Sequence, residues 1–138
     1  MTNTEPFLKN LTLITRTADC LPILIYTPTV IAAIHAGRKS TELKILEKVL
    51  VKMQKEFNIN THFHIYFGPH ICKENYEINP ETKEHYELRQ QNVNQIQSVL
   101  NTKQYTLYEE NICTKQHVST YFSYREEGGR FYSGISLR

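Results

Sequence analysis

Two apolar runs, LPILIY from Leu21 to Tyr26 and VIAAIH from Val30 to His35, stand either side of Thr27-Pro28-Thr29, and they constrain the fold more than any other stretch. Both are short, aliphatic and rich in β-branched residues, so they read as buried strands joined by a tight turn. A turn centred between Thr27 and Pro28 sets Cys20 directly opposite His35, with Cβ atoms about 4.5–5.5 Å apart. A slip of two residues leaves the pair as diagonal neighbours on one face, whereas a slip of one sends them to opposite faces. Pro28 fits poorly the positive-φ turns that two-residue loops prefer, so a βαβ-like arrangement stays open as the alternative.

A thiolate and an imidazole on one sheet face suit two kinds of chemistry. Tetrahedral zinc or a copper ion accepts both donors at roughly 2.0–2.3 Å, and the same pair can act as nucleophile and base. The plain alternative is a buried cysteine serving as a small hydrophobe beside a hydrogen-bonded strand-end histidine. After His35 and Ala36-Gly37 come Ser40 and Thr41, good N-cap residues. TELKILEKVLVKMQKEF follows, with Leu43, Leu46, Leu50, Met53 and Phe57 at helical spacing. The spacing predicts an amphipathic helix over 41–57. Its N-terminal N–H groups, with Arg38 and Lys39, would form a positive rim beside the Cys/His pair, able to hold a phosphate, a carboxylate or a developing oxyanion.

Further along, THFHIYF (Thr61 to Phe67) alternates Phe63, Ile65 and Phe67 against His62, His64 and Tyr66, a strand with one buried face that Gly68-Pro69 stops. Asn79-Pro80-Glu81 opens a polar helical stretch whose buried stripe is Val93, Ile96 and Leu100. Runs around 120–124 and 130–137, separated by Glu-Glu-Gly-Gly, read as a hairpin. Strands and helices are interspersed, which predicts an α+β layered sandwich of mixed sheets with flanking helices. The sequence holds two rival metal sites. His62, His64 and His70 could offer three imidazoles, though a solvated strand face is the simpler reading; Cys113 and His117 could meet only on a helix that Thr114 and Val118 disfavour.

A net charge of +2, from 16 basic and 14 acidic residues scattered along the chain, leaves no nucleic-acid footprint. Three cysteines at 20, 72 and 113 make no disulfide framework. The start MTNTEPFLKN has no apolar leader-like core, and no apolar run is long enough to span a membrane. The expectation is a cytoplasmic protein that engages neither nucleic acid nor membrane.

The string TADCLPILIY followed by VIAAIHAG resembles the laccase-domain family, also called multicopper polyphenol oxidoreductases and purine nucleoside phosphorylases of the YfiH type. Its hallmark is TADCLP, an apolar strand, then an apolar strand ending in HAGWRG. The likeness continues at YFGPHICKENYEI, at LRQQNVNQIQ and at ICTKQHVSTYFSYREEGGRFYSGISL, in the family's order and over nearly the whole chain. The resemblance implies a truncated version of the YfiH-like fold, with 1–138 as one domain lacking the family's N-terminal segment. It also implies a metal site of one cysteine and two histidines, zinc or alternatively copper, in which Cys20 and His35 match two ligands.

Two departures stand out. The other ligand histidine, His35 matching the family's second, belongs upstream, where the nineteen residues before Cys20 contain none, and HAGRKS replaces HAGWRG, with Arg38 at the tryptophan position and Lys39 keeping the positive charge. The implied activity is phosphorolysis of purine nucleosides or deamination of adenosine, with Asp19 orienting a ligand or a substrate hydroxyl and Arg38 and Lys39 holding substrate. Copper-dependent phenol oxidation and a catalytically degenerate interaction module are the alternatives. The expected partners are a purine nucleoside and phosphate, and a homodimer or a complementing N-terminal chain that supplies the missing ligand.

Overall fold

In the computed structural model, residues 11–110, 112–116 and 130–136 are described. Strands β1 (Thr12–Thr17), β2 (Leu21–Tyr26) and β3 (Ile31–Ala36) are followed by helices α1 (Arg38–Glu42) and α2 (Ile45–Lys55) and by β4 (Phe63–Phe67). A 3-10 turn at Lys73–Asn75, short strands β5 (Glu77–Asn79) and β6 (Glu84–His85), helix α3 (Leu88–Val99), β7 (Tyr105–Glu109) and β8 (Phe131–Ser136) complete the order. The central sheet runs β3-β2-β4-β7. Strand β2 is antiparallel to both its neighbours and β7 is parallel to β4, so the sheet is mixed and the fold is α+β, as the interspersed pattern predicts.

Alternation in β2 and β4 sets the layers. Leu21, Ile23, Ile25, Phe63, Ile65 and Phe67 point to one face and pack with Leu46, Leu50 and Met53 of α2 and Leu88, Val93 and Ile96 of α3. Each such fully buried aliphatic or aromatic side chain contributes about 1.5–3 kcal/mol. Ribbon β1-β8 packs against β2 and β3, and Ser133 shares a cleft with Pro22 and Leu24 on the face away from the helices.

The β2-β3 pair is an antiparallel hairpin, but its loop is wider than a two-residue turn. Thr27 N–H donates to the Val30 carbonyl at 3.0 Å, and Thr27 Oγ1 donates to that carbonyl at 2.7 Å while accepting from Val30 N–H at 3.0 Å. The loop is thus centred between Pro28 and Thr29. One residue of displacement in the centre moves the register by two, so Pro22, not Cys20, faces His35. Faces are preserved by an even slip.

The helix expected over 41–57 is instead two. It begins earlier, at Arg38, and Ser40 is not the cap but accepts a hydrogen bond from Gly37 N–H at 2.9 Å. Lys44 then takes a left-handed conformation, φ 61°, and turns Leu43 out to 68% exposure. At the break Thr41 O accepts from Lys44 N–H at 2.9 Å, and Gln95 of α3 ties the two helices together across it. Its Nε2 donates to Thr41 O at 2.7 Å and its Oε1 accepts from Glu47 N–H at 3.1 Å.

Helix α3 starts at Leu88, not near Asn79. Asn79 Oδ1 accepts from the N–H groups of Glu81 and Thr82 at 3.0 and 3.3 Å, a turn that closes β5-β6 rather than starting a helix. The stripe Val93, Ile96 and Leu100 is buried as its spacing predicts. The run at 120–124 lies outside the described residues, while that at 130–137 supplies β8, whose described partner is β1.

Candidate functional site

Cys20 and His35 share a sheet face. Extending the β2-β3 register by one position sets Cys20 opposite Gly37 and makes it a diagonal neighbour of His35, a separation of about 7–8 Å that long side chains bridge. Gly37 leaves room for the sulfur, since a Cβ there would stand 3.0 Å from Cys20 Sγ.

His35 is exposed and lines a cleft of about 650 Å³ with Gly37, Arg38, Lys39 and Ser40 on one side and Tyr76, Glu77 and Ile78 on the other. Arg38 and Lys39 therefore bring positive charge to the same cleft as the imidazole, although Arg38 also pairs with Glu42 at 3.4 Å. The wall formed by Tyr76 and Glu77 was not anticipated; YEI, within the third matched segment, was its signal in the sequence. Tyr76 packs on the core and edge-on to Tyr86, so that wall is anchored.

Asp19 is buried, at φ 82°, and its carboxylate accepts a hydrogen bond from Thr114 Oγ1 at 2.7 Å while its carbonyl accepts from Ile71 N–H at 2.8 Å. A non-glycine residue in the left-handed region is held there by its surroundings, and these two bonds are part of that hold. Burial pushes the Cys20 thiol up, the Asp19 carboxylate adds to this, and Arg130 opposes it. These surroundings favour the thiol over the thiolate. Arg130, in the Gly-Gly-Arg before β8, is the nearby cation, and the sequence reading missed it.

The chemistry of the donor set fits a metal only in part. A thiolate and an imidazole on one face suit zinc or copper, and Gly37 keeps space beside the sulfur, but among the described residues no group of three His, Cys, Asp or Glu converges on one point. The three other histidines of the rival site go elsewhere. His62 Nε2 and His64 Nδ1 hydrogen-bond Thr106 Oγ1 and Tyr108 OH at 2.7 and 2.9 Å, whereas His70 Nδ1 donates to Gly68 O at 2.8 Å. Burial lowers the His70 pKa, with the Gly68 carbonyl opposing. His117 lies outside the described residues.

Residues 4–138 match the family described as multi-copper polyphenol oxidoreductase laccase. The chain belongs to this family. It is 33% identical, over 94% of its length and 64% of the relative's, to a purine nucleoside phosphorylase of Campylobacter jejuni. It is 32% identical to a purine nucleoside phosphorylase of Bacteroides thetaiotaomicron, over 88% of this chain and 55% of the relative. The crystal structure of the Bacillus licheniformis hypothetical protein YfiH superposes with a TM-score of 0.77 at 25% identity, over 94% of this chain and 59% of that one. This member of the laccase-domain family thus spans less than two thirds of the length of these relatives. No helix among its described residues is long and apolar enough to cross a membrane.

Proposed function

We propose that this laccase-domain chain forms the site of a metal-dependent enzyme acting on purine nucleosides, by phosphorolysis of the N-glycosidic bond or deamination of adenosine. The observation that carries the reading is that Cys20 and His35 are diagonal neighbours on one sheet face, with His35 opening onto a cleft that also holds Arg38 and Lys39. The names of its relatives support the substrate class. Cys20 and His35 would hold a zinc ion, or alternatively copper, which when bound supplies a Lewis acid for polarising water or phosphate. Arg38 and Lys39 hold the phosphate, Tyr76 offers an apolar wall to the nucleoside, and Asp19 positions the segment that carries Cys20.

Two protein donors leave half of a tetrahedral sphere open, so the chain by itself binds zinc at micromolar strength or weaker. We further propose that 1–138 acts as one domain whose third donor comes from a complementing N-terminal chain or from a second copy. Zinc calorimetry and sedimentation on the purified chain, with inosine and adenosine turnover followed with and without phosphate, test this reading. Turnover that needs zinc and falls at least about a hundredfold in Cys20→Ser and His35→Ala supports it. Turnover indifferent to both substitutions overturns the site, and tight one-to-one zinc binding by a monomer overturns the shared ligand. The family's description favours a second reading, copper-dependent oxidation of phenols, which the same preparation loaded with copper tests by oxygen uptake.

A further inference from the structure

Away from that cleft, the loops that follow β4 and β7 meet. His70 N–H donates to Ile112 O at 3.3 Å and Thr114 N–H to His70 O at 3.1 Å, a parallel bridge that brings Cys72 against Cys113. Donors converge on Cys113 Sγ: the backbone N–H of Cys72 at 3.1 Å, Asn75 Nδ2 at 3.4 Å and the Cys72 thiol itself. Asn75 Nδ2 also lies 3.1 Å from Cys72 Sγ, so one side-chain amide spans both sulfurs. Both thiols are reduced, and both line a cleft of about 460 Å³ shared with His70, Lys73, Arg89 and Gln116.

This arrangement separates the roles of the two sulfurs. Hydrogen-bond donors aimed at a sulfur favour thiolate over thiol. Burial pushes Cys113 up, yet the bonds from Cys72, Asn75 and Gln116 outweigh it and leave the group below its ordinary value. Cys72, desolvated and donating to its neighbour, is pushed up to about 11. A nucleophilic sulfur with a protonated sulfur poised beside it is the anatomy of a reactive dithiol.

We propose that Cys113 and Cys72 form a thiol-disulfide exchange site for low-molecular-weight disulfides, with Cys113 attacking and Cys72 resolving. The Cys113 thiolate attacks one sulfur of the small disulfide; its S–S bond breaks and one thiolate departs, taking up the Cys72 proton. The Cys72 sulfur then attacks Cys113 Sγ, breaks the mixed disulfide and expels the second small thiolate, which takes from solvent the proton that Cys113 had released. Two protein thiols are oxidised and one small disulfide is reduced to two thiols. The consequence reaches the Cys20 segment, because each cysteine adjoins a residue that holds Asp19: Ile71 precedes Cys72 and Thr114 follows Cys113. Oxidation therefore staples together the two loops that fix Asp19.

The test uses the full chain incubated with oxidised glutathione at neutral pH, quenched with iodoacetamide and mapped by mass spectrometry. The expected product is a Cys72–Cys113 linked peptide with Cys20 carrying the alkyl group. Cys72→Ser should accumulate a glutathione adduct on Cys113, and Cys113→Ser should react with glutathione at Cys72 about tenfold more slowly than the unmutated chain closes its disulfide. Absence of the linked peptide from the folded unmutated chain overturns the proposal whatever the variants do. Reaction of Cys113→Ser at the unmutated rate overturns the assignment of the attacking sulfur.

Discussion

Thr114 donates a 2.7 Å hydrogen bond to the carboxylate of Asp19, its partner ninety-five positions earlier in the chain, and both residues are buried. Taking one donor away from a buried carboxylate costs about 1–3 kcal/mol. Thr114→Val, which keeps the shape and removes the donor, should lose that much in urea unfolding, while Thr114→Ser should lose only about the 0.8 kcal/mol of a methyl group. A double-mutant cycle with Asp19→Asn should show coupling above about 0.5 kcal/mol; additive effects would mean that the bond does not hold the segment.

The break at Lys44 divides an apolar stripe that one continuous helix would have shared. Leu46 is fully buried whereas Leu43, three positions earlier and in phase, is 68% exposed. Leu46→Ala should cost about 2–5 kcal/mol by the cavity it leaves, and Leu43→Ala should stay within about 0.5 kcal/mol. Equal losses by calorimetry would restore the unbroken helix.

Two glycines differ in how much a methyl group would meet. A Cβ at Gly68 would lie 2.7 Å from Pro22 Cγ, an atom tied into a ring, whereas at Gly37 it would lie 3.0 Å from the rotatable Cys20 sulfur. Gly68→Ala should therefore destabilise by about 1–3 kcal/mol, and Gly37→Ala by less, with the thiol displaced. Denaturant midpoints of the two variants check the order.

Arg89 grips Glu109 with two hydrogen bonds, Nε to Oε1 at 2.6 Å and a terminal nitrogen to Oε2 at 2.7 Å. The Arg89 guanidinium holds the Glu109 carboxyl below the ordinary carboxylate value, burial opposing it. A depressed folded-state pKa means that the folded chain binds fewer protons than the unfolded one. The stabilisation is thus present above the unfolded value and is lost as pH falls through the lower folded value. Glu109→Gln should flatten the acid limb of a stability–pH curve below about pH 4.5 and leave neutral stability changed by only about 1 kcal/mol. An acid limb identical to that of the unmutated chain would count against it.

What could be read in the sequence was whatever is local. The apolar runs around Thr27-Pro28-Thr29 gave the hairpin, and an even register slip kept Cys20 and His35 on one face although the turn is centred one residue further on. What could not be read came from afar. Only the folded chain brings Gln95 to the break at Lys44. Strand β1 escaped because its buried positions, Thr15 and Thr17, are hydroxylic rather than apolar, and β7 because its partner β4 lies beyond an intervening helix. The cleft wall at Tyr76 and Glu77 and the cation Arg130 reach the site by the same kind of tertiary approach.

The pairing of β1 with β8, from Thr12↔Ser136 to Thr17↔Phe131, also bears on how the chain reaches its fold. The β2-β3 hairpin closes over four loop residues and is a microsecond event. Joining β1 to β8 requires nearly the whole chain to be looped, and so belongs among the slow, late steps that a high contact order imposes. During synthesis β1 emerges well before its partner. With Leu11 and Ile14 exposed even in the finished structure, its open edge is where a nascent chain would first meet a chaperone or a second copy of itself.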